Sequence, residues 1–231
     1  MKIYKYFKIK EESFENLKNG ELFFNNPSNF DDINDSNLKI RENVLKTFIN
    51  KSIQYLDSIP SEKLQKLKPP KGFYEKLNTK SSSDDFLELF NEFKNYFIGI
   101  TCFSESNDIQ RMWDDYASEN RGFCICFETN LDYPFFNGLT KVNYVEKLPT
   151  IDLTSENFEK GFEEFYTTKD EEIYDFEEEQ RLVKKNQGLL KYDKNCVEEI
   201  IIGNKMSKID KSKIITIIKE YYSDNVFITQ N

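Results

Sequence analysis

Residues 177–181 read Glu-Glu-Glu-Gln-Arg, with a strand-forming Leu-Val directly after them. If this run is extended, alternation puts Glu177, Glu179 and Arg181 on one face. Two carboxylates and a guanidinium would then share a surface. A neighbouring carboxylate makes ionisation harder and a guanidinium makes it easier. It suits recognition of ribose hydroxyls, or stabilisation of an oxocarbenium-like state. The alternative is a solvated charge run guarding an edge strand.

Three further groupings carry side chains of chemical interest. Cys102-Phe103-Ser104-Glu105 ends a strand, and Met112-Trp113…Tyr116 follows on a helix. Ser104 can face a ligand where the strand ends. Trp113 and Tyr116, three apart, share a helix face and can sandwich a planar ring. The competing reading has both helix aromatics in the core and Ser104 capping the helix. Asp31-Asp32…Asp35 forms an acidic loop that could hold a divalent cation, but it lacks EF-hand spacing and reads better as turn and cap chemistry. Lys5 and Tyr6 lie on opposite faces of the first strand. Lys5 can reach a phosphate or remain an ordinary surface lysine.

The chain of 231 residues contains no histidine. This excludes Ser-His-Asp and Cys-His nucleophile systems and every His-ligated metal site. General acid–base work falls to carboxylates, Lys, Tyr or Cys. The four cysteines, Cys102, Cys124, Cys126 and Cys196, lack the paired spacing of a tetrathiolate zinc site and read as buried reduced thiols. No metal is expected. The early lysines interrupt any apolar leader and no run is long enough for a transmembrane helix, so a cytoplasmic protein is expected. Net charge is −9. Residues 156–179 hold 11 acids and 2 bases, a local balance equal to that whole excess. Nucleic acid is therefore not favoured as a partner.

The elements that must position these residues follow from periodicity. Strands are predicted at 3–7, 21–24, 97–103, 122–127, 141–145, 179–184, 197–202 and 226–229. Helices are predicted at 11–18, 107–117, 155–166 and 210–221. Apolar residues at helical spacing between 38 and 57, and again between 86 and 97, indicate a helical insertion over 37–96, a candidate lid or partner-docking lobe. The irregular mixture gives one α+β domain, with a mixed, mostly antiparallel central sheet flanked by helices.

The ordered stretches Tyr4-Lys5-Tyr6, "NGELFFNNPSNFDD" at 19–32, "ITCFSES" at 100–106, "MWDDYASENRGFCICF" at 112–127, "EEEQRLV" at 177–183 and "EEIIIG" at 198–203 resemble a bacterial family known as domain of unknown function 2971. This chain departs from the family pattern at Asp31-Asp32-Ile33 (usually Asn-Asp-Pro), at Tyr174 (commonly Trp) and at Asn120 (often His). The family's element order is similar to ADP-ribosyltransferase-like folds. That likeness implies an NAD-using enzyme or toxin of a bacterial defence system. Glu179 would stabilise the reacting ribose, Glu177 would orient the acceptor, and Arg181 would tune both. Lys5, Tyr6, Phe103, Ser104, Trp113 and Tyr116 would contact NAD, the co-substrate. The alternatives are a partner-binding or sensor module acting through the 37–96 lobe, and a metal-dependent nuclease using Asp31, Asp32 and the Glu-x-Glu carboxylates.

Overall fold

A computed structural model describes residues 1–30, 39–40, 98–151, 164–185 and 187–231. The first strand, β1 (Lys2–Phe7), shows why alternation matters. Ile3, Lys5 and Phe7 turn to one face, and Tyr4 and Tyr6 to the other. Each face meets a different set of helices.

β1 is followed by α1 (Glu11–Asn19), whose Phe14 and Leu17 are buried. Gly20 ends α1 in the left-handed conformation, φ 71°, and returns its N–H to the helix carbonyls, the usual role of a glycine at this position. β2 (Glu21–Phe24) and β3 (Lys39–Ile40) follow. Next come β4 (Gly99–Ser104), α2 (Gln110–Tyr116) and β5 (Phe123–Glu128). A one-turn α3 (Tyr133–Phe136) leads to β6 (Leu139–Lys141), β7 (Asn143–Val145) and β8 (Thr150–Ile151). Then come β9 (Thr168–Asp170), α4 (Glu171–Tyr174) and β10 (Glu179–Lys184). The chain finishes with β11 (Gly188–Lys191), β12 (Val197–Ile202), α5 (Lys208–Tyr221) and β13 (Phe227–Gln230).

The central sheet has seven strands in the order β13-β12-β5-β1-β4-β10-β6. Among the described residues β12–β13 is the one parallel pair of this sheet, so the mostly antiparallel α+β class holds. One face packs Ile3, Ile125, Phe127, Phe103 and Ile200 against Phe14 and Leu17 of α1 and Ile214, Ile217 and Ile218 of α5. The other face packs Tyr6, Cys124 and Ile201 against Met112, Trp113 and Ala117 at α2. Burying these apolar stripes against the sheet is what holds the helices, at roughly 1.5–3 kcal/mol per large side chain. The four thiols are unpaired by disulfides. Among the described residues, no helix is long and apolar enough to cross a membrane.

Several boundaries differ from the sequence expectations for physical reasons. The strand expected at 141–145 is two strands, β6 and β7: the Val142 N–H still reaches the Glu179 carbonyl at 2.8 Å in the β6–β10 register, and from Asn143 the chain pairs with β9 instead. The helix expected at 107–117 starts three residues late. Ser106 and Asp108 hydrogen-bond each other locally and hold the chain out of helix. Lys39–Ile40 is a short strand paired parallel with β8, although it falls in the span read as a helical insertion. The helical recurrence there begins only at Leu45. The rest of the 37–96 insertion lies outside the described residues, as do Asp31, Asp32 and Asp35 and most of the helix expected at 155–166.

The turn from α2 to β5 is unusual. Ser118, Glu119 and Asn120 are all left-handed, at φ 53°, 56° and 67°. L-residues rarely adopt this conformation in succession. It is held by Asn120 N–H to the Trp113 carbonyl at 3.2 Å and by Lys205 N–H to the Asn120 carbonyl at 2.9 Å. The buried Asn120 side chain accepts from Asn231 at 2.8 Å and donates to Asp114 at 3.4 Å.

Candidate functional site

β1 and β2 both approach the same edge of β4, at different heights. Tyr4 of β1 pairs with Ser104. Asn25, just past β2, bridges Ile100 with two backbone hydrogen bonds of 2.8 Å. A gap in the ladder remains between these two contacts. A cavity of about 340 Å³ opens there, within the range of small-molecule sites. Its walls include Tyr4, Lys5 and Tyr6 of β1, the whole run from Ile100 to Ser104, Tyr116 of α2, and Phe30 and Tyr174. Lys169, Glu177, Glu179 and Arg181 complete the lining.

These four charged residues are all buried, and they form one network. Arg181 lies opposite Cys102 and Glu179 opposite Ser104, so register fixes both on the α2 side of the sheet. Arg181 Nε donates to Glu179 Oε1 at 2.7 Å and its Nη2 to Oε2 at 3.1 Å, a two-point contact that suits a planar guanidinium. Arg181 Nη1 donates to the Tyr166 carbonyl at 2.8 Å. Lys169 Nζ bridges the carboxylates, 2.6 Å from Glu177 Oε2 and 3.1 Å from Glu179 Oε2. Tyr116 donates its hydroxyl to Glu177 Oε1 at 2.5 Å. The Tyr174 ring lies 4.2 Å from Lys169 Nζ, and the Phe30 ring 5.6 Å from the Arg181 guanidinium carbon. Both rings are within cation–π range.

The two carboxyls are driven apart electrostatically. Burial by itself would raise Glu179, but Arg181 and then Lys169 outweigh it and hold the carboxyl down at about 2. Burial and the charge of Glu179 raise Glu177 above the usual glutamate range, against the pull of Lys169 and Tyr116. One site thus holds a firmly ionised carboxylate and a carboxyl that takes a proton more readily. Burial and the adjacent Glu177 push the Tyr116 phenol up, so it stays a donor. Burial, then Glu179, pushes the Cys102 thiol up, which leaves no thiolate nucleophile there.

Glu177, Glu179 and Arg181 meet as the sequence suggested, but not by strand alternation. Glu177 ends a 3-10 turn (Asp175–Glu177), Glu178 is left-handed at φ 44°, and β10 begins only at Glu179. The turn, not the pleat, brings the Glu177 side chain back to the row. Lys5, Tyr6, Phe103, Ser104 and Tyr116 also line the cavity. Trp113 does not. It is fully buried behind the wall, edge-on to Tyr6 at 5.2 Å, with its indole N–H donated to the Asn107 carbonyl at 2.7 Å. A ring sandwich between Trp113 and Tyr116 is therefore not formed. Ser104 has zero exposure, and its hydroxyl accepts the Ser106 N–H at 3.2 Å, which is turn-capping duty beside the cavity. Tyr6 donates its hydroxyl to the Ser106 carbonyl at 2.9 Å, fixing the same turn. Asn120, where the resembling family often has His, is not among the cavity residues.

Sequence reasoning missed Lys169, Tyr174 as a wall, and Tyr144, whose hydroxyl accepts the Glu179 N–H at 2.9 Å. The available signal for Lys169 was its isolation: it is one of two bases in the acidic run 156–179. Among the described residues no cluster of His, Cys, Asp or Glu is arranged to hold a metal ion. Comparison with family models, with curated proteins and with solved structures finds no match for this chain.

Proposed function

We propose that the chain is an NAD-using, ADP-ribosyltransferase-like enzyme, in line with the resemblance drawn from its sequence, and that its role lies in a bacterial defence or conflict system. The observation that carries the activity is the pair of buried carboxyls with opposed proton affinities on the floor of one cavity. Transfer from NAD breaks the bond between ribose C1′ and the nicotinamide nitrogen. The bonding electrons pass into the pyridinium ring, so nicotinamide leaves neutral and needs no proton from the protein. Positive charge then develops at C1′, where the ionised Glu179 stabilises it. An acceptor hydroxyl, or water, attacks C1′, and its proton passes to Glu177, the carboxyl with the higher affinity. Histidine is required nowhere in this sequence of events. The cavity volume suits the reacting nucleoside half of NAD, with Tyr116, Tyr174 and Phe30 offering ring faces.

The test is nicotinamide release from NAD by the purified protein. The acid limb of its pH–rate profile is expected to lie above the usual glutamate range, because Glu177 must be ionised to act as base. Tyr116→Phe removes a hydrogen bond that favours the carboxylate, so it is expected to move that limb to still higher pH. A limb unmoved by this substitution removes Glu177 as the base. No release and no NAD binding removes the proposal.

A second reading, a binding module without turnover, is favoured by one observation. All four carboxylate oxygens of Glu177 and Glu179 already have a protein donor. NAD-dependent thermal stabilisation without nicotinamide release would select it.

A further inference from the structure

The cavity has a second polar end, on the opposite side of the sheet from the carboxylates. In the gap between the Tyr4–Ser104 and Asn25–Ile100 contacts, the Cys102 carbonyl is met not by a neighbouring strand but by the Lys5 ammonium, 2.8 Å away. Alternation turns Lys5 with Ile3 and Phe7 toward the α1–α5 side. Its Nζ lies 5.4 Å from the Phe103 ring centre and 5.9 Å from that of Phe7. An ammonium has three donors, and the Cys102 carbonyl takes one. Among the described residues no carboxylate lies within ion-pair distance of Lys5. The nearest acids of the cavity, Glu177 and Glu179, are already held by Lys169 and Arg181.

Thr101 faces the same side of β4 as Phe103 and lines the same cavity. Its residue exposure is 2%, and its hydroxyl oxygen has no hydrogen-bond partner among the described residues. Buried hydroxyls are nearly always paired, so an unpaired one beside a cavity points to a group the protein does not supply. Lys5 is half-buried, and a cation partly removed from water without an ion-pair partner is likewise costly, which the cation–π contacts offset only in part. Burial pushes the Lys5 amine below its usual value, so an anion bound beside it would favour the charged form.

We propose that Lys5 Nζ and Thr101 Oγ1 form an oxyanion subsite at this end of the cavity, which takes a phosphate or carboxylate group of a small-molecule ligand. The ammonium supplies charge and two donors, the hydroxyl supplies a third, and Phe7 and Phe103 exclude water around them. The subsite deepens the NAD reading, which already has Lys5 contacting the co-substrate, but the two fail separately: an anion bound here without nicotinamide release keeps the subsite and removes only the turnover.

The experiment is thermal unfolding of the whole chain in inorganic phosphate, in acetate, and in chloride at matched ionic strength. Wild-type protein is expected to show a saturable rise in Tm with phosphate or acetate over chloride, about 5–10 °C at a hundredfold excess over Kd. The anion with the larger rise identifies the ligand group. Lys5→Gln keeps a donor for the Cys102 carbonyl but removes the charge, and is expected to abolish the rise. Lys8→Met, at an exposed lysine on the same segment, is expected to keep it. Thr101→Val has nearly the same shape, and is expected to weaken the anion about tenfold without loss of stability in chloride. No saturable rise in wild type, or an equal rise in Lys5→Gln, overturns the subsite. Unchanged anion affinity in Thr101→Val overturns the part assigned to the hydroxyl and, if Lys5→Gln does not fold, the subsite with it.

Discussion

Glu179→Gln is expected to lose about 10²–10³-fold in nicotinamide release, the usual cost of removing one preorganised charge facing a developing one. The same substitution is expected to destabilise the fold by about 3–5 kcal/mol, because Arg181 loses its counter-charge and one of its two acceptors in a buried site. The two effects separate by pH. Glu179 has a folded pKa of about 2, below the ordinary value of about 4.3. Its stabilisation is therefore fully present above the ordinary value and is lost as pH falls toward 2. Glu177 runs the other way: its folded pKa is raised, so its contribution is present at low pH and is lost as pH rises past the ordinary value. Urea unfolding of wild type should thus lose stability on both sides of the ordinary glutamate pKa. Glu179→Gln should flatten the acid side and Glu177→Gln the other. Folded Glu179→Gln protein with full turnover would remove Glu179 from the reaction. An unchanged acid limb would remove its assigned charge state.

Gly122→Ala is expected to cost about 3 kcal/mol or more, among the larger effects of adding a single methyl group. A Cβ at Gly122 would fall on the Phe7 carbonyl oxygen and within 2.9 Å of two Ala117 backbone atoms. Backbone cannot swing aside as a side-chain tip can. Gly203 is packed in the same way, with its Cβ position on the Asn120 carbonyl and 2.9 Å from the Gly122 oxygen. The two glycines let β1, β12 and the left-handed turn after α2 lie backbone against backbone. Gly138→Ala is the matched control. Its φ is +88° but nothing lies within 4 Å, so it is expected to cost only about 1 kcal/mol of backbone strain. Equal urea midpoints for Gly122→Ala and Gly138→Ala would show that close approach is not what Gly122 provides. Because α2 ends at this turn, Gly122→Ala is also expected to move Tyr116 away from Glu177.

The local elements were readable because each rests on a local rule. β10 and β12 carry dense β-formers and fall at the residues expected, 179–184 and 197–202. α1 carries its own apolar face and its own glycine stop. The convergence of Glu177, Glu179 and Arg181 was also readable, although the turn at Glu178 was not. Nothing in residues 175–179 demands a left-handed glutamate; tertiary packing imposes it. Lys169 was hidden for a related reason. It arrives on β9, which pairs with short β7, and its link to the carboxylates depends on where that pair docks. Trp113 shows the opposite error of inference. An i, i+3 aromatic pair fixes a shared stripe, but the stripe is wide enough for one ring to face the core and the other a cavity.

The placement of β1 has a consequence for how the chain is assembled during synthesis. β1 precedes the other six strands of the central sheet in the chain, yet it is the middle strand of the seven. Its partners β4 and β5 come from residues 99–104 and 123–128, and the outer strands that complete their ladders come later still. A nascent chain therefore exposes β1 without these partners until residues 99–104 have left the ribosome. Such high contact order slows folding and leaves an apolar strand open to wrong pairing in the meantime. The lysines of β1 and its flank, Lys2, Lys5, Lys8 and Lys10, fit that interval, since charge on an unpaired strand discourages association between chains.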